Sequence, residues 1–226
     1  MLNEAEGIGH VIDDLWDHGF DDILVVDGYS KDGTADIAKL KGVRVLVQNG
    51  PGKAGAIKAG IKHLTSAWML VMDGDGTYRA RDVERLVEHA EGQDEVIGRR
   101  TDGTENIPRL NRIGNWIISK AFKLLFTAPI TDVCSGMYIL RRDYAKGLDI
   151  SSTSFDIEVE IASQVAADGR IVEVPIGYGK RIGQQKLSSA RHGVRIVSTL
   201  IWMANYYNPV ILYSLLVASA IVPAAS

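Results

Sequence analysis

The sequence predicts an α/β fold built on a doubly wound, mostly parallel sheet. Three observations carry this reading. Short apolar runs of strand length alternate with segments of helical spacing. Each run stops at a turn rich in Gly, Asp or Asn. The carboxylates of Asp27, Asp73 and Asp75 fall at the ends of such runs, where open α/β sheets bind their ligands. With 226 residues, 46% of them hydrophobic and 23% charged, the chain is long and apolar enough for one sizeable globular domain.

Taken in order, Glu4 to His18 carries Ile8, Val11, Ile12 and Leu15 at helical spacing. Ile23 to Val26 is a short buried-strand run ending at Asp27. The turn GYSKDGT leads to a helix over about Ala35 to Leu40, and Val43 to Val47 is a second strand. The loop NGPGKAG opens a helix through Ile57 and Ile61, and Trp68 to Met72 is a third strand. Asp82 to Ala90 reads as a helix and Glu95 to Gly98 as a strand. The resulting order βαβαβαβ is that of a parallel sheet with helices on both faces. Beyond it, Pro108 to Phe126 is helical with a basic start at Arg109 and Arg112. Met137 to Leu140 is a strand, Phe155 to Ala167 a helix, and Ile171 to Ile176 a strand ended by Pro175. A glycine-rich basic loop, Gly177 to Ser189, leads to a helix over residues 190 to 207 and then to an apolar tail.

The net charge of −3 gives no global reason to expect nucleic acid as a partner. Cys134 is the sole cysteine, so no internal disulfide forms, and without a His or Asn context it reads as structural. The opening MLNEAEGIGH is polar and is not a signal peptide. The chain enters its first helix without a preceding strand and closes on PVILYSLLVASAIVPAAS, so one or both ends read as cut from something longer.

The stretch LVMDGDGTY, from Leu70, places two carboxylates one residue apart straight after a strand. Like charges this close repel unless something positive lies between them. Gly74, between Asp73 and Asp75, lets the loop backbone approach a ligand. Paired carboxylates suit one hard divalent cation, Mg²⁺ or Mn²⁺, shared with substrate phosphates. No His or Cys cluster suggests zinc. A P-loop is a weak reading because Gly52-Lys53 is followed by Ala54 rather than Ser or Thr.

Several blocks, in order, resemble the inverting glycosyltransferases of family 2, with their GT-A (Rossmann-like) fold, and within them the archaeal polyprenyl-phosphate (dolichyl-phosphate) hexose synthases. Leu2-Asn3-Glu4 resembles the family's opening NE motif, and VVDGYSKDGT, from Val25, its nucleotide-binding turn. GPGKAGAIKAG, from Gly50, is similar to its glycine-rich donor loop, and MDGDGTY, from Met72, to its DxD motif. VIGRR from Val96, TDVCSG from Thr131, FDIE from Phe155 and EVPIGYGKRIGQQKL from Glu173 match the remaining blocks. The resemblance covers about residues 2 to 209.

What the resemblance implies is specific. Asn3, Glu4 and Lys53 belong to the donor side, with Asp27 near the base and ribose. Asp73 and Asp75 hold the metal and diphosphate. Arg100, Arg109 or Arg112, Ser135 and Arg181 face the acceptor phosphate. Asp75, Asp132 and Arg181 carry the catalysis, and Glu158 lines the sugar and acceptor side. The chain departs from the pattern at Thr77, where relatives often have Gln, at Gly183-Gln184-Gln185-Lys186-Leu187, where GESKL is common, and at Gly28 and Tyr29, where many are more acidic. Plainer readings stand beside these. Lys53 also reads as a solvated loop lysine, Arg109 and Arg112 as the start of a solvated helix face, Glu158 as half of a buried salt bridge, and Glu160 as surface.

The reaction implied is transfer of a hexosyl group from a nucleoside diphosphate sugar, UDP- or GDP-linked, to a polyprenyl phosphate, with inversion. A phosphate monoester has a second pKa of ~6 and needs arginines to hold it rather than a base to activate it. Transfer to a saccharide or another soluble acceptor, and non-catalytic binding of a sugar nucleotide, are the alternatives. The Q-x-x-R-W motif of processive synthases is absent. Three segments are expected: a catalytic domain over 1–187, an amphipathic interfacial helix over 188–208, and the start of a transmembrane segment over 209–226. Arg191, His192 and Arg195 mix with Val194, Val197, Leu200 and Ile201, and Trp202, Tyr206 and Tyr207 fall where an aromatic belt would lie. Basic residues ahead of a span place the catalytic domain on the cytoplasmic face of the membrane.

Overall fold

The computed structural model describes residues 1–153, 156–183 and 189–221, without the side chains of residues 189–192 and 220–221. Phe155, residues 184–187 of the basic loop, and the side chains of Arg191 and His192 therefore lie outside what is described. The first half alternates as its periodicities predict: α1 (Ala5–Asp17), β1 (Leu24–Asp27), α2 (Thr34–Leu40), β2 (Arg44–Val47), α3 (Gly52–His63), β3 (Trp68–Val71), α4 (Arg81–Glu88) and β4 (Glu95–Asp102). The second half adds α5 (Arg109–Phe126), β5 (Tyr138–Arg141), α6 (Arg142–Gly147), α7 (Ile157–Asp168), β6 (Ile171–Gly177), α8 (Ser189–Tyr207) and α9 (Pro209–Ile221).

The sheet is mixed rather than mostly parallel. β1 and β2 form a parallel pair, and a four-stranded sheet has the order β3-β5-β4-β6. β5 runs antiparallel to both β3 and β4, while β4 and β6 are parallel. The cause is the connection after β4. Parallel neighbours need a crossover back to the starting edge. Residues 103–137, α5 included, instead return the chain to the edge where β4 ends, so β5 must run back down between β3 and β4. β6 also continues through Pro175 to Gly177, because it is an edge strand and Pro175 lacks an N–H that no ladder needs there.

Helices cover both faces of the sheet. α3, α5, α7 and α8 close one core, in which Phe122, Ile130, Leu140, Ile157, Ile161 and Met203 are buried. α1 and α4 close the other through Val11, Leu15, Val83 and Leu86 against Val96, Ile139 and Ile176. At the free edge of β1, the Met1 amino group donates to the Val26 carbonyl at 2.5 Å and Gly28 N–H donates to the Met1 carbonyl at 2.5 Å, the bonds of a parallel bridge around Asp27. Among the described residues no single helix is long and apolar enough to cross a membrane; α8 and α9 pass that test only together, bent by 115°.

Two carboxylates sit within the core. Glu160, expected at the surface, is fully buried: one oxygen accepts from the Ser151 N–H (2.8 Å) and hydroxyl (2.5 Å), the other from the Ser152 N–H (2.9 Å). It ties the loop before α7 to that helix. Glu95 is 1% exposed and its Oε2 has no hydrogen-bond partner among the described residues. Burial, helped by the Glu158 charge, raises its pKa well above 4.5. The native state therefore keeps a proton that the unfolded chain releases above pH 4.5. Stability from this group is present below that pH and is lost as pH rises toward the native pKa, by about 1.4 kcal/mol per pH unit. Glu95→Gln is expected to melt higher than the parent at pH 7, with the gain fading near pH 4. Melting curves across pH test this, and a gain that persists at pH 4 would contradict it.

Candidate active site

The turn after β3 is shaped by its own side chains. The Asp75 carboxylate is 4% exposed, and its Oδ1 accepts from the Thr77 N–H (3.0 Å) and hydroxyl (2.6 Å), which closes an Asx-type turn. Gly76 takes a φ of +74°, and a Cβ there would lie 2.7 Å from Ile182. Thr77 thus fixes one oxygen of Asp75.

The two neighbouring carboxylates avoid repulsion because each has its own cation. Lys53, from the first turn of α3, sits 2.8 Å from Asp73 Oδ1 and 2.5 Å from Glu158 Oε1. Arg181 reaches across from the loop after β6, with Nη1 2.5 Å from Asp75 Oδ2 and Nη2 2.5 Å from Glu4 Oε1. Lys53 is no solvated loop lysine. Burial works against its charge, but Asp73 and Glu158 outweigh that and hold it protonated. Glu158, 7% exposed, is pushed up by burial, with Lys53 pulling it back. Gly136 opens the space for this trio: a Cβ there would lie 2.4 Å from Asp73 Oδ2 and 3.1 Å from Lys53 Nζ.

A further ion pair stands on β4 and the loop before β5. Arg100 grips Asp132 in a fork, Nε to Oδ2 at 2.7 Å and Nη2 to Oδ1 at 2.6 Å, and the Arg100 N–H adds a third bond at 3.0 Å. Burial opposes the charge on Arg100; Tyr78 and the Asp132 carboxylate outweigh it and keep the guanidinium protonated. Its guanidinium carbon lies 5.4 Å from the centre of the Tyr178 ring, which stacks edge-on with Tyr78. Tyr78 accepts from the Gly136 N–H at 2.8 Å, and burial first of all raises its pKa. Glu173 holds the other side of the loop through the Thr131 N–H (2.7 Å) and hydroxyl (2.5 Å). Ser135 is buried within the same loop, where its N–H donates to the Asp132 carbonyl at 3.1 Å. The Cys134 thiol is pushed up to about 12, chiefly by burial, so it stays an unreactive thiol.

The turn after β1 is stitched to the start of the chain. Asn3, at φ 51°, accepts from the Lys31 N–H (2.8 Å), its own N–H donates to Ser30 Oγ (2.7 Å), and the Glu4 N–H donates to Thr34 Oγ1 (2.8 Å). Asp27 is 3% exposed; its Oδ2 accepts from the Ser30 N–H at 3.0 Å, and its Oδ1 has no partner among the described residues. Asp73, Asp75, Lys53, Glu158, Glu4 and Arg181 thus meet in one linked cluster, with Arg100, Asp132 and Ser135 beside it. Arg109 and Arg112 do not join it: both are exposed on the first turn of α5, and no hydrogen bond or ion pair ties their side chains to the cluster among the described residues. Sequence reading missed Tyr78, Tyr178 and Glu173. They sit in quoted blocks, but nothing in their spacing marks them.

Asp73 and Asp75 offer hard oxygen donors that fit Mg²⁺ or Mn²⁺. Among the described residues no group of three or more His, Cys, Asp or Glu side chains forms a cage, so such an ion would complete its shell with phosphate oxygens or water.

Residues 1–148 match the family model described as glycosyl transferase family 2. The chain is 37% identical over 214 residues to glycosyltransferase AglJ of Haloferax volcanii, covering 92% of this chain and 71% of that protein. It is 31% identical over 204 residues to the dolichyl-phosphate hexose transferase of the same organism, covering 88% and 89%. Among solved structures it is similar to glucosyl-3-phosphoglycerate synthase from Mycobacterium tuberculosis in complex with Mn²⁺, UDP-glucose and phosphoglyceric acid, with a TM-score of 0.72, 20% identity, and coverage of 91% and 77%. The mixed sheet is thus the GT-A-like fold, and the chain belongs to glycosyl transferase family 2 and is a glycosyltransferase.

Proposed function

We propose that this glycosyltransferase moves a hexosyl group from a nucleoside diphosphate sugar to a polyprenyl phosphate, with inversion. One observation carries the choice of acceptor: each carboxylate of the linked cluster, and Asp132 beside it, is held by a cation. Asp132 is forked by Arg100, Asp75 and Glu4 are bridged by Arg181, and Asp73 and Glu158 share Lys53. A sugar hydroxyl needs a carboxylate with a free lone pair to take its proton. A phosphate monoester, already an anion, needs only to be held and aimed. The likeness to a dolichyl-phosphate hexose transferase over most of both chains supports the same acceptor.

In this reading Asp27 offers its unpaired oxygen to the nucleoside, Asp73 and Asp75 hold a divalent cation with the donor diphosphate, and Lys53 keeps Asp73 in place. The cation, when bound, neutralises charge building on the departing diphosphate. Arg181 lies where it can meet a phosphate once Asp75 turns to the cation, and Arg100 fixes Asp132 against the sugar side. Arg109 and Arg112 flank the acceptor path, and Ser135 shapes it. α8 lies at a membrane surface through its exposed Val194, Ile201, Trp202 and Tyr206, with the catalytic domain on the cytoplasmic side.

Labelled UDP- and GDP-hexoses, offered with a polyprenyl phosphate and Mn²⁺ or Mg²⁺, test this. The expected product is an acid-labile lipid phosphosugar whose anomeric configuration is opposite to that of the donor. Label passing to a saccharide acceptor and none to the lipid would replace this reading with the soluble-acceptor one.

A further inference from the structure

Away from the ion-paired cluster, a cleft of about 300 Å³ opens between the segment before α7 and helix α8. That is the lower end of the size range of ligand pockets, roughly 300–1,000 Å³. Its buried carboxylate is Asp156, 3% exposed, whose Oδ2 accepts from the Ser152 and Thr199 hydroxyls, each at 2.9 Å. Arg195 Nε stands 3.3 Å from Asp156 Oδ1, and Nη2 of the same guanidinium donates to the Thr153 hydroxyl. Ser151 gives its hydroxyl proton to Glu160 (2.5 Å), and Ser198 gives its own to the Val194 carbonyl (3.0 Å). Trp202, 52% exposed, also lines the cleft, with its ring stacked on Tyr206 at 6.3 Å between centres. Asp156 turns to α8, whereas Glu158, two residues on, turns to Lys53.

We infer that this cleft is a binding site for a saccharide ring, distinct from the cluster around Asp73 and Asp75. The hydrogen-bond inventory selects the ligand. The four lining hydroxyls, on Ser151, Ser152, Ser198 and Thr199, have committed their protons to protein oxygens, so what each offers a ligand is lone pairs. The ligand must therefore bring donors. Charge narrows the choice. Arg195 and Asp156 are the only charged side chains in the lining among the described residues, and they cancel. An anion gains little from a guanidinium whose charge a carboxylate already neutralises, and a cation meets Arg195. An apolar ligand would strip water from the hydroxyls and return no bond. A neutral ring with several hydroxyls meets every condition. It donates to the serine and threonine oxygens, accepts from Arg195, and lays its C–H face on the Trp202 ring. The Trp202–Tyr206 stack and the Asp156–Arg195 pair hold these walls in place beforehand, which lowers the cost of binding. The same chemistry is offered by a soluble saccharide and by the sugar headgroup of a glycolipid. The inference does not depend on the acceptor proposed above.

Saturation-transfer NMR on the full chain tests it. The probes are methyl glucoside, methyl mannoside and N-acetylglucosamine, with UDP- and GDP-hexose and Mn²⁺ in excess to fill the donor site. The saccharide signal is expected to persist under that excess. Ser198→Phe, which fills the cleft from an exposed position, and Trp202→Ala are each expected to reduce it about fivefold or more. Melting temperature and sugar-nucleotide binding show that each variant is folded, and should Trp202→Ala melt early, Ser198→Phe decides alone. Vesicles with and without a glucosylated diacylglycerol separate the two sources. Preferential recovery on the glycolipid vesicles, lost in Ser198→Phe, assigns the headgroup; a signal that grows only with soluble oligosaccharides assigns the soluble chain. Both results support the site. Displacement of the probes by the sugar nucleotides overturns the inference, as does a signal equal in the parent and the folded variants, or no signal with any probe. Binding of inorganic phosphate that Arg195→Gln abolishes, with no saccharide bound, makes the cleft an anion site and overturns it equally. None of these outcomes bears on transfer to a lipid phosphate, which the labelled-donor assay decides by itself.

Discussion

Asp75→Asn is expected to leave the fold in place and reduce transfer by ~10²-fold or more. The amide keeps an oxygen to accept from Thr77, so the turn closes as before. Facing Arg181 at 2.5 Å, however, it presents a neutral group, and toward a divalent cation it is a weaker ligand than a carboxylate. Excess EDTA should abolish turnover by the parent enzyme in the same assay. A variant of unchanged melting temperature that transfers sugar at the parent rate, or turnover indifferent to EDTA, would remove the metal from this site and Asp75 from its chemistry.

The second large effect concerns the fork between Arg100 and Asp132. Side-chain exposure of 8% and 13% means that removing one partner strands the other. Arg100→Leu should lose about 3–5 kcal/mol of stability, the usual cost of breaking a buried pair from one side. Arg100→Lys should lose a large part of that too, because an ammonium cannot make the two parallel bonds. The double variant Arg100→Leu/Asp132→Leu is the informative one. It restores much of the stability, since no charge is left unpaired, yet transfer should remain at least ~10²-fold down. Denaturant unfolding and transfer assays on the three variants separate the roles. Recovery of both stability and transfer in the double variant would mean that the pair is scaffolding alone.

What could be read from the sequence was local. β1 to β4 each announce themselves by an apolar run that meets a turn residue, and their helices by spacing within a dozen positions. The Asp73–Gly74–Asp75 stretch and the glycine-rich loop around Lys53 were visible for the same reason. What could not be read depends on residues far apart. The place of β5 between β3 and β4 is decided by where residues 103–137 leave the chain, and no pattern in YILR carries a direction. That Lys53 lies between Asp73 and Glu158 rather than in solvent follows from a contact across 105 residues. Glu160 misled because charge on a helix usually means solvent. Here two serine N–H groups take the place of water. Pro175 misled similarly: it stops a central strand but not an edge one.

The antiparallel insertion of β5 has a consequence for how the chain comes to be folded. β3 and β4 share no ladder; each is bonded to β5, which lies between them. During synthesis, β3 and β4 therefore wait for Tyr138–Arg141 before the four-stranded sheet is continuous. These pairings span some forty to seventy residues, so their loop-closure entropy is met late, and folding is slow compared with a helical protein of this length. The same topology couples the two halves in time. The strand that completes the sheet also delivers Gly136 to the side of Asp73, so the Asp73 carboxylate acquires its final surroundings at the moment the loop over 131–136 does.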